Sequence, residues 1–272
     1  MTYRQNVPCS MFHVSCFMTD LIRDNIPNIR FLSDMKDFVF DVAWFEKAPN
    51  AEIYYMYRGL SKDKNEMEIM GKNNLRYDIT VVPPKMLGSE FTKTIGHEHA
   101  IVPNTNITYT EIYEVLNGEA IYLLQKYENN KVTKIYAVHT KAGEKCVIPP
   151  NYGHVTINAS NQELVMANWV ESHFKSGYTL FKNNRGAGYY ALANVGTKSL
   201  QRDLVPTNNA GIKWIKNENY GEVPDIKISE AKDFNWLCEK FGIDPAVPMY
   251  NLVNDIEKLD FLKHPQKYSW DR

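Results

Sequence analysis

At 272 residues the chain is long enough to bury a substantial core, as one large domain or as a domain with appendages. A formal net charge of −1 with no basic stripe excludes the electrostatic footprint of a nucleic-acid or anionic-membrane binder. The 17 Tyr and 12 Phe, against 14 Gly and 13 Pro, are the composition of a folded globular chain rather than a disordered one.

No run reaches about 18 apolar residues, so no membrane-spanning helix is expected. Cys9, Cys16, Cys146 and Cys238 are scattered without a CxxC pair. They read as reduced thiols, which favours a cytoplasmic setting. Near the N-terminus, Leu21, Ile22, Ile26 and Ile29 form an apolar stripe broken by Pro27, and Ser33 is placed to cap a short helix over residues 35–39. AEIYYMYRGL (51–60) and LRYDITVV (75–82) read as strands, and the charged SKDKNEMEIMGKNN between them as a surface loop. QELVMANWV (162–170) is a later strand, expected beside the strands that carry the chemistry. His173 is expected at the surface, and Lys93 and Lys175 in solvent. Beyond residue 207 the apolar residues of ISEAKDFNWLCEKFGI fall largely at helical spacing, with Ser229 as cap and Gly242 as stop; those of YNLVNDIEKLDFLKHP do the same, closed by Pro265.

The chemistry concentrates in residues 94–158. If residues 91–99 form a strand, His97 and His99 project from one face. TEIYEVL (110–116) alternates and is rich in β-branched and aromatic residues, so Glu111 and Tyr113 share a strand face. Asn117-Gly118 signals a hairpin into the apolar run 120–124. His154, Thr156 and Asn158 share a face on a strand entered from the Pro149-Pro150-Asn151 turn. An HxH pair alone is more often structural than ligating. Three imidazoles with a carboxylate, however, are a donor set that suits Fe(II), Zn, Mn, Ni or Co.

These spacings resemble the two cupin motifs. Gly143, Pro149, His154 and Asn158 match the second, with Asn151 where a Gly is usual; HxH and Glu111 to Gly118 match the first. Eleven residues separate His99 from Glu111, more than most cupins have, and IVPNTNITY reads as a longer loop between strands. TIGHEH, TEIYEVLNG with LLQ, and PPNYGHVTIN, preceded by LSDMK and DITVVPP, together resemble the cupin-type (archaeal-type) glucose-6-phosphate isomerases.

The resemblance implies an all-β core, a cupin (jelly-roll) antiparallel β-barrel with N-terminal strands and a mostly helical C-terminal extension. The corresponding divisions are residues 1–75 packing on the barrel, 76–180 as the barrel with its metal site, and 181–272 as the extension. It implies one divalent metal ion, Fe(II) first, on His97, His99, Glu111 and His154, with Glu111, Tyr113 and His154 as catalytic groups. It places the sugar phosphate on Thr80, Thr94 and the backbone N–H of Gly96, with Tyr113 and Tyr152 as further substrate contacts and Tyr178 as a weaker one. A phosphate-contacting tyrosine is expected among Tyr54, Tyr55 and Tyr57. Strict alternation sets Thr94 opposite His97, so a break in the strand before Gly96 is required. The expected partner is a small phosphosugar, with neither nucleic acid nor membrane, and the expected assembly a homodimer. Two rival readings remain: a cupin metal-dependent dioxygenase, and a sugar-binding cupin without catalysis.

Overall fold

The computed structural model describes residues 20–129, 131–194 and 211–271; Cys9 and Cys16 lie outside them. Among the described residues fourteen strands form two sheets. In spatial order, the first runs β1 (Asn28–Phe31), β2 (Glu52–Tyr57), β3 (Leu75–Val82), β11 (Leu164–Glu171), β6 (Glu111–Asn117) and β9 (Lys145–Ile148). The second runs β13 (Ile212–Lys216), β12 (Tyr189–Ala193), β5 (Glu90–Lys93), β10 (Tyr152–Asn158), β7 (Glu119–Glu128), β8 (Lys131–Lys141) and β14 (Lys227–Glu230), with β4 (Met86–Leu87) paired to β5. Every pairing is antiparallel except β14 on β8. From β8 to β12 every successive strand lies in the opposite sheet, as β5 to β6 and β6 to β7 do. This is the cupin jelly roll.

Alternation along the strands builds the barrel. On β6, Tyr113 and Val115 join the apolar core between the sheets, while Ile112 joins a second core on the outer face of the first sheet. That outer face, with Tyr77, Ile79, Val165 and Trp169, is covered by Leu237, Phe241, Met249, Tyr250 and Phe261 of the C-terminal segment. Trp169 is fully buried there and donates Nε1–H to the Met249 carbonyl at 3.0 Å. β3 and β11 are therefore buried on both faces: Tyr77, Ile79, Val81, Val165, Ala167 and Trp169 pack on the outer side, and Asp78, Thr80, Met166 and Asn168 turn to the inner one.

Several local expectations are corrected. Asn117-Gly118 is not a hairpin between paired strands; it is the corner where the chain leaves the first sheet for the second. Gly118 has φ +75°, and a Cβ there would stand 2.7 Å from the Glu163 carbonyl oxygen, so only glycine turns this corner. SKDKNEMEIMGKNN holds a helix, α1 (Lys64–Lys72), whose cap is Asp63 accepting the Glu66 N–H at 2.9 Å. Ser33 lies inside a 3-10 turn, Leu32–Met35, rather than capping a helix over 35–39. Lys93 is buried in an ion pair with Glu90 rather than solvated. Ser229 lies in β14, and the helix that follows, α3 (Asn235–Lys240), begins six residues later; α2 is Thr179–Asn183. From Met249 to Leu259 the chain runs in 3-10 turns, ending in the short helix α4 (Asp260–Lys263). The apolar spacing serves packing on the sheet, so short turns suffice where long helices were expected.

Candidate metal centre

His97, His99, Glu111 and His154 each present one ligand atom, and these atoms all lie within 4.8 Å of one another. Three different devices bring them together. Strand β5 stops at Lys93, and Thr94 leaves the regular ladder by accepting the Thr156 N–H on its Oγ1 at 3.0 Å. This is the break that Thr94 requires. The chain then re-forms an isolated bridge, His97 opposite His154, with N–H···O bonds of 3.1 and 3.0 Å in the two directions. Gly96 makes the bridge fit, since a Cβ there would lie 2.3 Å from the ring of Phe181 on α2.

The long loop after His99 is ordered by its own bonds. Val102 N–H donates to the Ile107 carbonyl at 2.9 Å, and Tyr109 N–H to the Ala100 carbonyl at 3.0 Å. Asn151, in place of the usual Gly, adopts φ +66°, a conformation that Asn tolerates. Its Oδ1 accepts the Thr108 N–H at 3.0 Å, and its own N–H donates to Thr108 Oγ1 at 2.6 Å. The loop is thereby tied to the residue just before β10, three positions ahead of His154.

The electrostatics of the group point to a cation. His99 Nδ1 is 2.9 Å from the Tyr109 carbonyl, so Nδ1 carries the hydrogen and Nε2 is left with its lone pair. That Nε2 lies 3.1 Å from Glu111 Oε2. His154 Nε2 is 3.5 Å from the same oxygen and 3.2 Å from the Tyr113 hydroxyl. Burial, with neighbouring His99, lowers the His97 pKa to about 4, and burial with the other two imidazoles holds His154 well below its usual range. With their pKa values lowered, His97 and His154 keep ring lone pairs that, beside His99 and the Glu111 carboxylate, make a donor set a divalent ion could accept. His154 Nδ1 is buried without a hydrogen-bond partner among the described residues, and the ring is held by packing against His97, His99 and Tyr113.

The group opens into a cavity walled by the inner face of the first sheet. Thr80, Thr94 and Tyr113 line it together with His97, His99 and Glu111; Gly96, between the lining residues Ile95 and His97, packs on Phe181 and is not itself a lining residue. Tyr152 starts β10 outside the lining, and His173 is exposed. Of the three candidate tyrosines only Tyr54 faces the cavity, and Tyr178 does as well. Arg30, Arg58, Arg76 and Asp78 are lining residues that motif reading did not reach. On β3 a signal was present: Arg76, Asp78 and Thr80 share the face opposite the apolar Tyr77, Ile79 and Val81. Asp78 accepts from Arg76 Nε at 2.9 Å, from Gly59 N–H at 2.9 Å and from Arg58 at 3.3 Å.

A family model described as glucose-6-phosphate isomerase matches residues 30–207. The chain belongs to the glucose-6-phosphate isomerase family. Among its relatives, glucose-6-phosphate isomerase of Thermococcus litoralis is 28% identical over 149 residues, 55% of this chain and 72% of that protein. The enzyme of the same name from Pyrococcus furiosus is 26% identical over 204 residues, 75% of this chain and 93% of that one. Among solved structures, an oxalate oxidase bound to glycolate aligns over 45% of this chain and 51% of its own with 20% identity and a TM-score of 0.33. Membership makes the chain a glucose-6-phosphate isomerase-type enzyme, and the match takes in every residue of the metal group and Thr80, Thr94 and Tyr113. It ends before the segment that covers the outer face of the first sheet.

Proposed function

We propose that the chain interconverts D-glucose 6-phosphate and D-fructose 6-phosphate using one divalent metal ion, Fe(II) first among Zn, Mn, Ni and Co, on His97, His99, Glu111 and His154. The observation that carries the reading is the four-residue group at one wall of the cavity, inside the region matched by the family. When bound, the ion would supply Lewis-acid polarisation of the sugar carbonyl and hold negative charge at its oxygens.

The chain's own groups divide the remaining work. Glu111 turns Oε2 toward the imidazoles, so Oε1 is the oxygen able to hold a proton in transit between C1 and C2. The Tyr113 hydroxyl, next to both Glu111 and His154, can exchange a proton with a sugar oxygen. Thr80, Thr94 and the Gly96 N–H take the phosphate end in this reading; Tyr152 has no part in it. Tyr178, its ring 5.8 Å from that of His97, narrows the space between the two ends. A cytoplasmic homodimer belongs to the same proposal. It is supported by exposed Ile26 and by Phe31 on β1, an edge strand with open backbone groups. A coupled assay for glucose 6-phosphate formation from fructose 6-phosphate tests the reading. Folded, metal-loaded protein without turnover would sink it.

A further inference from the structure

Arg30 stands apart from the other arginines of the cavity. Arg58 and Arg76 both pair with Asp78. Arg30, in register with Tyr54 across β1 and β2, has Tyr54 and Tyr178 as its main neighbours, and Asp34 contributes least. Asp34 is already engaged, accepting the Phe31 N–H at 2.9 Å. The Arg30 side chain hydrogen-bonds Tyr54, but its Nε is buried and has no hydrogen-bond partner among the described residues. A buried guanidinium N–H without an acceptor is unfavourable, and an anionic oxygen is the acceptor it matches best.

The neighbours of Arg30 are arranged to donate as well. Tyr54 Oη accepts the Ile95 N–H at 3.2 Å, and Thr94 Oγ1 accepts the Thr156 N–H at 3.0 Å. Each hydroxyl thus keeps its own hydrogen for an outside acceptor. Tyr178 connects the two ends of the cavity, lying beside Arg30 and against the His97 ring. A ligand spanning that ring would put an anionic end at Arg30 and its other end at the metal group.

We propose that Arg30 is the cation that anchors the substrate's phosphate dianion and sets the preference for a phosphorylated over a neutral sugar. The inference rests on the isomerase reading for its substrate, and on the cavity alone for its anion. Hydroxyl donors such as Thr94 and Tyr54 orient a phosphate but cannot balance its charge; a guanidinium does both.

The test compares Arg30→Gln and Arg30→Lys with the wild-type holoenzyme, by steady-state kinetics on fructose 6-phosphate and by competitive inhibition with inorganic phosphate. In Arg30→Gln, KM and the phosphate inhibition constant are expected to rise together by about ten- to a hundredfold, with kcat within about threefold of wild type. Arg30→Lys is expected to recover part of that loss, because it restores the charge without the planar fork. An unchanged KM in either variant overturns the proposal. So does a fall in kcat with the phosphate constant unmoved, which marks a structural role. If the wild type itself has no turnover, the isomerase reading fails separately. Thermal stabilisation by inorganic phosphate then decides for Arg30: its loss in Arg30→Gln with partial recovery in Arg30→Lys supports the anchor, and its retention in Arg30→Gln refutes it.

Discussion

Nε2 of His99 and Oε2 of Glu111 face each other at 3.1 Å, and the hydrogen of the His99 ring is on the opposite nitrogen, donated to the Tyr109 carbonyl. Two acceptors at this separation repel unless a proton or a cation lies between them. The Tyr109 carbonyl is brought to His99 by the loop after it, since Tyr109 N–H closes on Ala100. The eleven residues between His99 and Glu111 therefore act on the candidate metal group: they set the tautomer of one of its imidazoles.

Tyr113→Phe should separate proton handling from metal binding. The hydroxyl lies 3.2 Å from His154 Nε2 but is outside the four-residue group that could hold a metal. A kcat lower by about ten- to a hundredfold is expected, with metal content per chain unchanged, since one positioned acid–base group is worth that much or more. Metal analysis beside kinetics checks this; a variant that also loses its metal would show Tyr113 to be structural.

Stability of the metal-free protein should fall as the solution is acidified. The buried His97 titrates near 4 and His154 is lowered further, whereas an unfolded imidazole titrates near about 6.5. Below about 6.5 the unfolded chain binds the extra protons and the folded one does not, so the contribution is complete above that pH and shrinks toward pH 4. Urea midpoints of chelated protein between pH 7.5 and 5 are expected to decline, and less so in His97→Asn. A flat profile would mean that these imidazoles protonate freely in the fold.

Lys145 and Glu114 should prove structural though they border the site. Lys145 is buried, 3.2 Å from Glu114 and 2.9 Å from the Pro245 carbonyl, and Glu114 also accepts the Met249 N–H at 2.8 Å. With Thr110 Oγ1 donating to the Phe261 carbonyl at 3.0 Å, they fasten the outer side of β6, whose inner side carries Glu111. Lys145→Met leaves a buried carboxylate without its cation, and a loss of about 3 kcal/mol is expected from chemical denaturation. KM for fructose 6-phosphate in the folded fraction should be unchanged; a shift would give Lys145 a part in the site.

Gly96→Ala should be costly, and Phe181 should be the reason. Its methyl would stand 2.3 Å from the Phe181 ring, so a loss of about 1–3 kcal/mol is expected from overpacking. Pairing it with Phe181→Leu should recover part of the loss in thermal melts. Strict additivity of the two changes would place the strain elsewhere.

Much of this was legible in the sequence, because period-two alternation carries it. The faces of TEIYEVL and of the His154 strand, and the neighbouring LVMANWV strand, follow from side-chain order alone. Asn117-Gly118 misled because the same positive-φ glycine that closes a hairpin also turns a corner between sheets. The α1 helix hid in a charged stretch because only Met70 is buried along it. Arg76 and Asp78 were readable as the polar face of β3, but Arg30 on β1 and Arg58 just past β2 meet them only across strands, and cross-strand rows leave no linear spacing to read. The C-terminal segment showed its apolar stripe, but a stripe packed on a sheet face does not distinguish helix from 3-10 turn.

The most direct measurement of the central claim is turnover of fructose 6-phosphate by chelated protein titrated with single divalent metals, with bound metal counted in the same samples. Activity should be lost on chelation and return in proportion to metal up to one ion per chain. It should stay absent in Glu111→Gln and His99→Ala that retain their fold. Undiminished turnover in metal-free protein, or full occupancy without turnover, would contradict it.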